Sequence, residues 1–165
     1  MDIRVGIGYD VHRLAEGEDL IIGGIKIPHH KGTLGHSDAD VLIHAIIDAI
    51  LGAANLRDIG VLFPDNSPEY KNIDSKILLT KAYEKVLEKG YCIGNIDATV
   101  ALQKPKLKEY IDAMRIVIAD TLNIDIDQIS IKASTTEKLG FEGREEGVTS
   151  YAVALLQKNA RDEGN

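Results

Sequence analysis

His36-Ser37-Asp38-Ala39-Asp40-Val41-Leu42-Ile43-His44-Ala45-Ile46-Ile47-Asp48 is the stretch around which the rest of the chain is organised. From Val41 onward the apolar residues recur at helical spacing. Val41, Ala45 and the Ile46/Ile47 pair can face a core, which predicts a helix over about 38–54. Asp40, His44 and Asp48 then stand at i, i+4 and i+8, on one flank of that helix. Carboxylate, imidazole and carboxylate beside an apolar stripe have two readings: a solvated face with a satisfied histidine, or part of a site. The opening strand bears on that choice. Arg4 to Leu14 alternates as a strand does, and Asp10 and His12 leave the same face about 6–7 Å apart, where two side chains can converge on one ion. Gly6 and Gly8 share their parity and leave that face open to backbone or ligand. This Gly-x-Gly is no dinucleotide site, because no Gly-x-Gly-x-x-Gly opens a helix.

Composition bounds the answer. With 165 residues, 44% hydrophobic and 27% charged, the chain predicts one soluble domain over 1–158 followed by a polar tail at 159–165. Aromatics are 5% and Trp is absent, so the core must be built from Ile, Leu, Val and Ala. The net charge is −7, and no basic run is long enough to follow a phosphate backbone, which excludes nucleic acid as the main partner. The one cysteine, Cys92, excludes a disulfide framework and a cysteine-only zinc site. No apolar run approaches membrane-spanning length and no leader pattern opens the chain. The expectation is no membrane association and a cytoplasmic location, or a plastid one if a targeting segment has been removed.

The remaining elements follow in order. Leu20 to Ile27 reads as a hairpin turning at Gly23-Gly24, and 28–32 as a loop in which His29 and His30 point apart as an exposed pair. The long 55–70 segment, punctuated by two prolines and Gly60, reads as a functional or mobile loop. Asp74-Ser75 caps a helix running to Lys89 and closed by Gly90. A strand follows with Ile96, Ala98, Val100 and Leu102 on one side, then a helix over 107–122. Ile129 to Ser134 is a strand with Ile129, Ile131 and Ala133 inward. The Gly-punctuated segment 135–147 is a loop, and 148–156 a last strand. This order predicts an α+β fold, a mixed sheet with helices packed on one face. The other face then needs cover, and the short side chains of the late strands suit burial against another copy of the chain.

Asp10, His12 and His44 make a set of two imidazoles and a carboxylate. Zn²⁺ held by three protein ligands keeps a fourth position open, the catalytic pattern, whereas Mg²⁺ prefers more carboxylates and waters. Spacing alone does not bring residues 12 and 44 together. His36 and Ser37 open the helix, where amides favour an anion, although Ser37 serves equally as an N-cap. Ser134-Thr135-Thr136-Glu137 offers hydroxyls and a carboxylate to a phosphate-bound cation, or forms a plain polar turn. Asp48 reads either as a group orienting His44 or as a surface charge.

Taken together, Asp10-Val11-His12, His36 to Asp40 with His44, Asp58-Ile59-Gly60 with Phe63-Pro64-Asp65, and Thr135 to Phe141 with Gly143-Arg144 resemble the signature blocks of the 2-C-methyl-D-erythritol 2,4-cyclodiphosphate synthase family. The blocks keep the family's order across nearly the whole chain. Ser134 stands where a third Thr is common and Ala39 where Gly is frequent; neither change removes a ligand. The resemblance implies a phosphorus–oxygen lyase of the non-mevalonate isoprenoid precursor pathway. It would convert 4-diphosphocytidyl-2-C-methyl-D-erythritol 2-phosphate to the 2,4-cyclodiphosphate and CMP. It further implies Zn²⁺ on Asp10, His12 and His44, and a second cation, Mg²⁺ or Mn²⁺, on Glu137. His36 and Thr135 would stabilise charge on the transferring phosphoryl group. Ser37, Asp58, Ile59, Gly60, Phe63, Pro64, Asp65, Asn66 and Ser67 would bind the methylerythritol and phosphate end. The cytidine would lie against Leu102, Gln103, Lys104, Pro105, Lys106, Leu107, Lys108 and Ser134 to Glu137 of a neighbouring subunit. A homotrimer with interfacial active sites is implied, with Phe141 and Arg144 at the mouth of a central cavity suited to an isoprenoid diphosphate. The same metal set would serve a zinc phosphodiesterase, and a degenerate site would leave a diphosphate-binding trimer. The complete ligand set speaks against the latter.

Overall fold

The computed structural model describes residues 2–159. Of the tail expected at 159–165, Asn159 donates its N–H to Gly90 O, and the rest lies outside the described residues. Strand β1 (Ile3–Glu16) carries its even positions inward and its odd positions outward. It is followed by the small hairpin β2 (Leu20–Ile22) and β3 (Ile25–Ile27), which turns at Gly23-Gly24 as expected. Strand β4 (Lys31–Leu34) then adds to the edge of β1, where the sequence suggested only loop. Helix α1 (Val41–Ala53), the short α2 (Ile59–Leu62) and α3 (Ser75–Glu88) lead to β5 (Tyr91–Ala101). Helix α4 (Ile111–Leu122), β6 (Ile129–Ser134), the one-turn α5 (Gly140–Gly143) and β7 (Gly147–Lys158) complete the chain. The main sheet has the order β4-β1-β7-β5-β6, with β5 and β6 parallel and the other neighbours antiparallel. The α+β expectation holds.

Helix α1 is not the amphipathic element the sequence suggested. It lies between the sheet and α3, so its residues are buried almost all round; only Asp48 and Gly52 reach the surface. A helix apolar on every side is what such a central position requires. Nor does it begin at Asp38. Ala39 takes a left-handed φ of 57°, a conformation that favours glycine, and helical geometry starts only after Asp40, the N-cap. Asp40 is fully buried. Its Oδ1 accepts the N–H groups of Gly23 (2.9 Å) and Ile43 (3.0 Å), and its Oδ2 that of Gly24 (2.7 Å). One carboxylate thus ends a helix and holds a hairpin turn. Burial pushes its carboxyl up to about 6, even against those hydrogen bonds.

The approach of α1 to β1 depends on Gly6 and Gly8. A Cβ at Gly8 would lie 1.8 Å from Ala45 O, and one at Gly6 2.0 Å from Ala49 O. The open face is therefore filled by helix backbone.

On the far side of the sheet the odd residues of β1 and β7 pair as Val5/Leu155, Ile7/Val153 and Tyr9/Tyr151, the two tyrosine rings 5.1 Å apart. Ile7 is 71% exposed and Val5 66%. The apolar outer face therefore belongs to the first strand as much as to the last. The small residues of the late strands, Ala152 and Ala154 among them, face the helices instead. Ala133, expected inward, is exposed on β6. His29 and His30 do not point apart; their rings lie 4.4 Å from each other, and His30 Nδ1 meets the Glu16 carboxylate at 2.9 Å. No helix among the described residues is long and apolar enough to cross a membrane.

Replacing Gly8 with Ala forces backbone apart rather than a flexible side chain, and the expected loss of stability is about 3 kcal/mol or more. Gly52→Ala, whose Cβ meets only Ile7 O at 3.9 Å, should be neutral or stabilising by up to about 1 kcal/mol. Urea denaturation of both variants against the parent checks the contrast.

Candidate metal centre and adjoining grooves

The even parity of β1 continues from Gly6 and Gly8 to Asp10 and His12, and the helix that crosses those glycines delivers His44 to the same place. Asp10 Oδ2 lies 2.8 Å from His12 Nε2 and 3.2 Å from His44 Nδ1; the two nitrogens are 3.3 Å apart. Ligands at about 2.0–2.1 Å from a tetrahedral ion are separated by roughly 3.3 Å, so the triangle has the size of one face of a zinc site. The chemistry of the atoms agrees. His12 Nδ1 donates to Leu34 O at 3.0 Å, which leaves Nε2 with its lone pair when the ring is neutral. Asp10 Oδ2 is buried and makes no hydrogen bond of proper direction, despite the 2.8 Å approach. Short distance without hydrogen-bond alignment, at a buried carboxylate oxygen, fits a site shaped for a cation. The spatial proximity of residues 12 and 44, which spacing could not supply, comes from the β1–α1 contact. Among the described residues, Asp10, His12 and His44 are the group of potential ligands close enough to share an ion.

Burial alone would raise Asp10, but the imidazoles of His12 and His44 outweigh it and hold the carboxyl below its ordinary value. Burial likewise acts to lower His12, yet the Asp10 carboxylate beside it keeps the imidazole above its usual range.

The triad borders a cavity of about 350 Å³ that His36, Ser37, Ile59, Gly60, Phe63 and Asp65 also line. His36 Nε2 donates to Ser67 O at 3.0 Å and so ties the head of the cavity to the loop opposite. Ser37 is not the helix cap: its Oγ accepts from Ala39 N and meets His44 Nε2 at 3.1 Å. Asp58 caps α2 through Val61 N. Asp48 does not bond to His44. Its Oδ1 accepts from Ile59 N at 2.8 Å, so it pins the start of α2 instead, and burial raises its carboxyl. Sequence reading missed Tyr70 and Leu78, which complete the wall, and Asp38 and Ser75, which lie behind His44.

The other expected residues sit elsewhere on the chain. Leu102, Gln103, Pro105, Lys106, Leu107 and Lys108 line a separate groove of about 410 Å³ together with Ser134 and Thr135. Glu137, at a φ of 54°, is exposed on the turn beyond it. A single chain therefore does not bring Thr135 and Glu137 to His36 and the triad. Phe141 borders a third depression with Val11 and His12. Arg144 is exposed and pairs with Glu146 at 2.7 Å.

The YgbB family model matches residues 3–157. The chain belongs to the YgbB family. It is 63% identical to the 2-C-methyl-D-erythritol 2,4-cyclodiphosphate synthase of Bacteroides fragilis over 158 residues, 96% of this chain and 99% of that one. Among solved structures it resembles the bifunctional IspDF of Campylobacter jejuni, with a TM-score of 0.92 and 47% identity over 95% of this chain. This chain spans 42% of that longer protein. It also resembles the IspF–CDP complex of Plasmodium falciparum, with a TM-score of 0.83 and 40% identity, covering 95% of this chain and 97% of the other.

Because His12 takes up a proton more readily than an ordinary imidazole, a metal ion must displace that proton as the solution becomes acidic. Zinc affinity should be flat with pH above the raised His12 value. Below it, affinity should fall at least about tenfold per unit, because at least the His12 proton must be displaced. Chelator competition across a pH series measures this slope; His12→Ala should bind far more weakly.

Proposed function

We propose that this YgbB family member converts 4-diphosphocytidyl-2-C-methyl-D-erythritol 2-phosphate to 2-C-methyl-D-erythritol 2,4-cyclodiphosphate and CMP. The observation that carries the reading is the complete Asp10-His12-His44 triad, set at a cavity of about 350 Å³, in a chain 63% identical to a relative of that name. The 2-phosphate oxygen forms a bond to the β-phosphorus, and the bond from that phosphorus to the bridging oxygen breaks, releasing CMP. Both partners are anionic groups of one molecule, so the protein's work is to fold the substrate and to offset charge. No side-chain nucleophile is required.

Asp10, His12 and His44 would hold Zn²⁺, which when bound supplies positive charge to a phosphate oxygen. Glu137 is a single exposed carboxylate, which suits a Mg²⁺ or Mn²⁺ ion whose other ligands are substrate phosphates and waters. His36 and Thr135 stabilise the transferring phosphoryl group. Asp58, with one oxygen committed to its cap, presents the other to a sugar hydroxyl. Gly60 allows backbone approach, and residues 63–67 shape the phosphate end beside Ser37. Residues 102–108 and 134–137 hold the cytidine.

Because the two grooves are separate in one chain, the reading requires a neighbouring subunit to close the site. The exposed apolar face of β1 and β7 is the surface that a homotrimer would bury. In that assembly Phe141 and Arg144 would stand at the mouth of a central cavity. Arg144 is held only by an exposed pair of small worth and could exchange Glu146 for an isoprenoid diphosphate. We assign residues 1–158 to a single domain and the enzyme to the cytoplasm.

Phosphorus NMR of the protein with the cytidylylated 2-phosphate and Mg²⁺ tests the reaction. Two coupled signals of a cyclic diphosphate should appear with CMP and be lost, by roughly 10³-fold or more in rate, in Asp10→Ala. A linear diphosphate or free phosphate would sink this reading and favour hydrolysis. Light scattering should give three times the 18.0 kDa chain mass, and Ile7→Glu should reduce it.

A further inference from the structure

His44 reaches the triad with Nδ1, so its other nitrogen decides whether Nδ1 carries a lone pair or a proton. Nε2 faces two hydroxyls, Ser75 Oγ at 2.9 Å and Ser37 Oγ at 3.1 Å. Ser75 is fully buried, and its hydroxyl donates to Asp38 Oδ1. An ionised carboxylate can only accept, and a serine has one proton to give. With that proton committed to Asp38, Ser75 Oγ can offer His44 only a lone pair. Nε2 must then be the N–H donor, and Nδ1 of the neutral ring is left with its lone pair directed at Asp10 Oδ2 and His12 Nε2.

Asp38 is itself fixed. Its Oδ2 accepts from Ser75 N at 2.9 Å, its Oδ1 also accepts from Asp40 N at 3.1 Å, and its own N–H donates to Ile73 O at 3.1 Å. Ser37 does not decide the matter alone. Its Oγ already accepts from Ala39 N at 3.2 Å, and its hydroxyl proton is free to turn toward or away from His44.

We infer that Asp38 and Ser75 are positioning residues for metal binding: the Asp38–Ser75–His44 chain of hydrogen bonds selects the Nε2–H tautomer of His44 and so prepares Nδ1 as a ligand. This rests on the reading of the triad as a metal centre. The polarity of the chain is what matters. Asp38→Asn can offer an amide N–H to Ser75 Oγ, which frees the serine proton to point at His44 and favours the opposite tautomer. Ser75→Ala removes the acceptor and leaves Ser37 to bond either form.

The test uses protein with ¹⁵N-labelled histidine, stripped of metal, observed by long-range proton–nitrogen correlation at alkaline pH, with zinc affinity measured in parallel by chelator competition. In the parent, His44 should show a protonated Nε2 and a bare Nδ1. Asp38→Asn should shift His44 toward the Nδ1–H form and weaken zinc binding about 10–100-fold. Ser75→Ala should mix the tautomers and weaken binding to a lesser degree. An Nδ1–H tautomer in the parent would overturn the inference. So would variants that lose stability but keep the parent's tautomer and zinc affinity, the pattern of a merely structural role. If Ser75→Ala does not fold, the parent spectrum and Asp38→Asn decide the question. Should the parent bind no more zinc than Asp10→Ala does, the metal reading itself fails; should it bind normally and the variants match it, only the positioning chain fails.

Discussion

The structure depends on one close approach: helix α1 lying against strand β1 where two glycines leave no side chain. Carbonyl oxygens of Ala45 and Ala49 occupy the space that Cβ atoms at Gly8 and Gly6 would need. Because side chains alternate along a strand, the next residues on that face are Asp10 and His12. Because His44 directly precedes Ala45 on the helix, its ring arrives beside them. The candidate metal centre is thus a consequence of backbone packing two residues away. Asp40 secures the same helix at its start, capping it through Ile43 N and tying it to the hairpin turn through the N–H groups of Gly23 and Gly24.

Much of this could be read from the chain before its structure. The period-two pattern of β1, the Gly-Gly hairpin, the Asp74 cap and the last strand all carry local signals, and all four appear. What was not legible depends on neighbours. Strand β4 has no pattern of its own; it exists because Arg13 to Glu16 of β1 offer an edge. The start of α1 was misplaced because Ala39 adopts a left-handed turn that its side chain does not advertise. Asp48 stood one helical turn from His44 and invited a pairing, yet the backbone N–H of Ile59 claims it. The residues that do stand behind His44 come from Asp38 and Ser75, thirty-seven positions apart, and no short-range spacing links them.

The candidate site divides along a physical line. The cavity beside the triad gathers histidines, acids and a mobile-looking run of turn formers that is in fact pinned: Asp48 holds Ile59, Asp58 holds Val61, and His36 holds Ser67. The groove at the ends of β5 and β6 is lined instead by Leu102, Leu107 and Ile131 with lysines at its rim. One hollow suits compact, highly charged groups and the other a flatter ring with a charged edge. Under the proposed reaction this separation in a single chain leaves each half incomplete, since that substrate carries both kinds of group.

Strand β1 serves two masters at once. Its even residues build the helix seat and the candidate metal centre, and its odd residues form the bare apolar face with β7. The alternation acts as a reading frame. An insertion or deletion of one residue between Gly8 and Asp10 would put the two segments of the strand out of phase: with Gly6 and Gly8 still against the helix, Val11 would turn inward and an acid and an imidazole outward. Substitutions at single sites can damage one surface and spare the other. A change in length cannot, so natural variation in this strand should be confined to replacement.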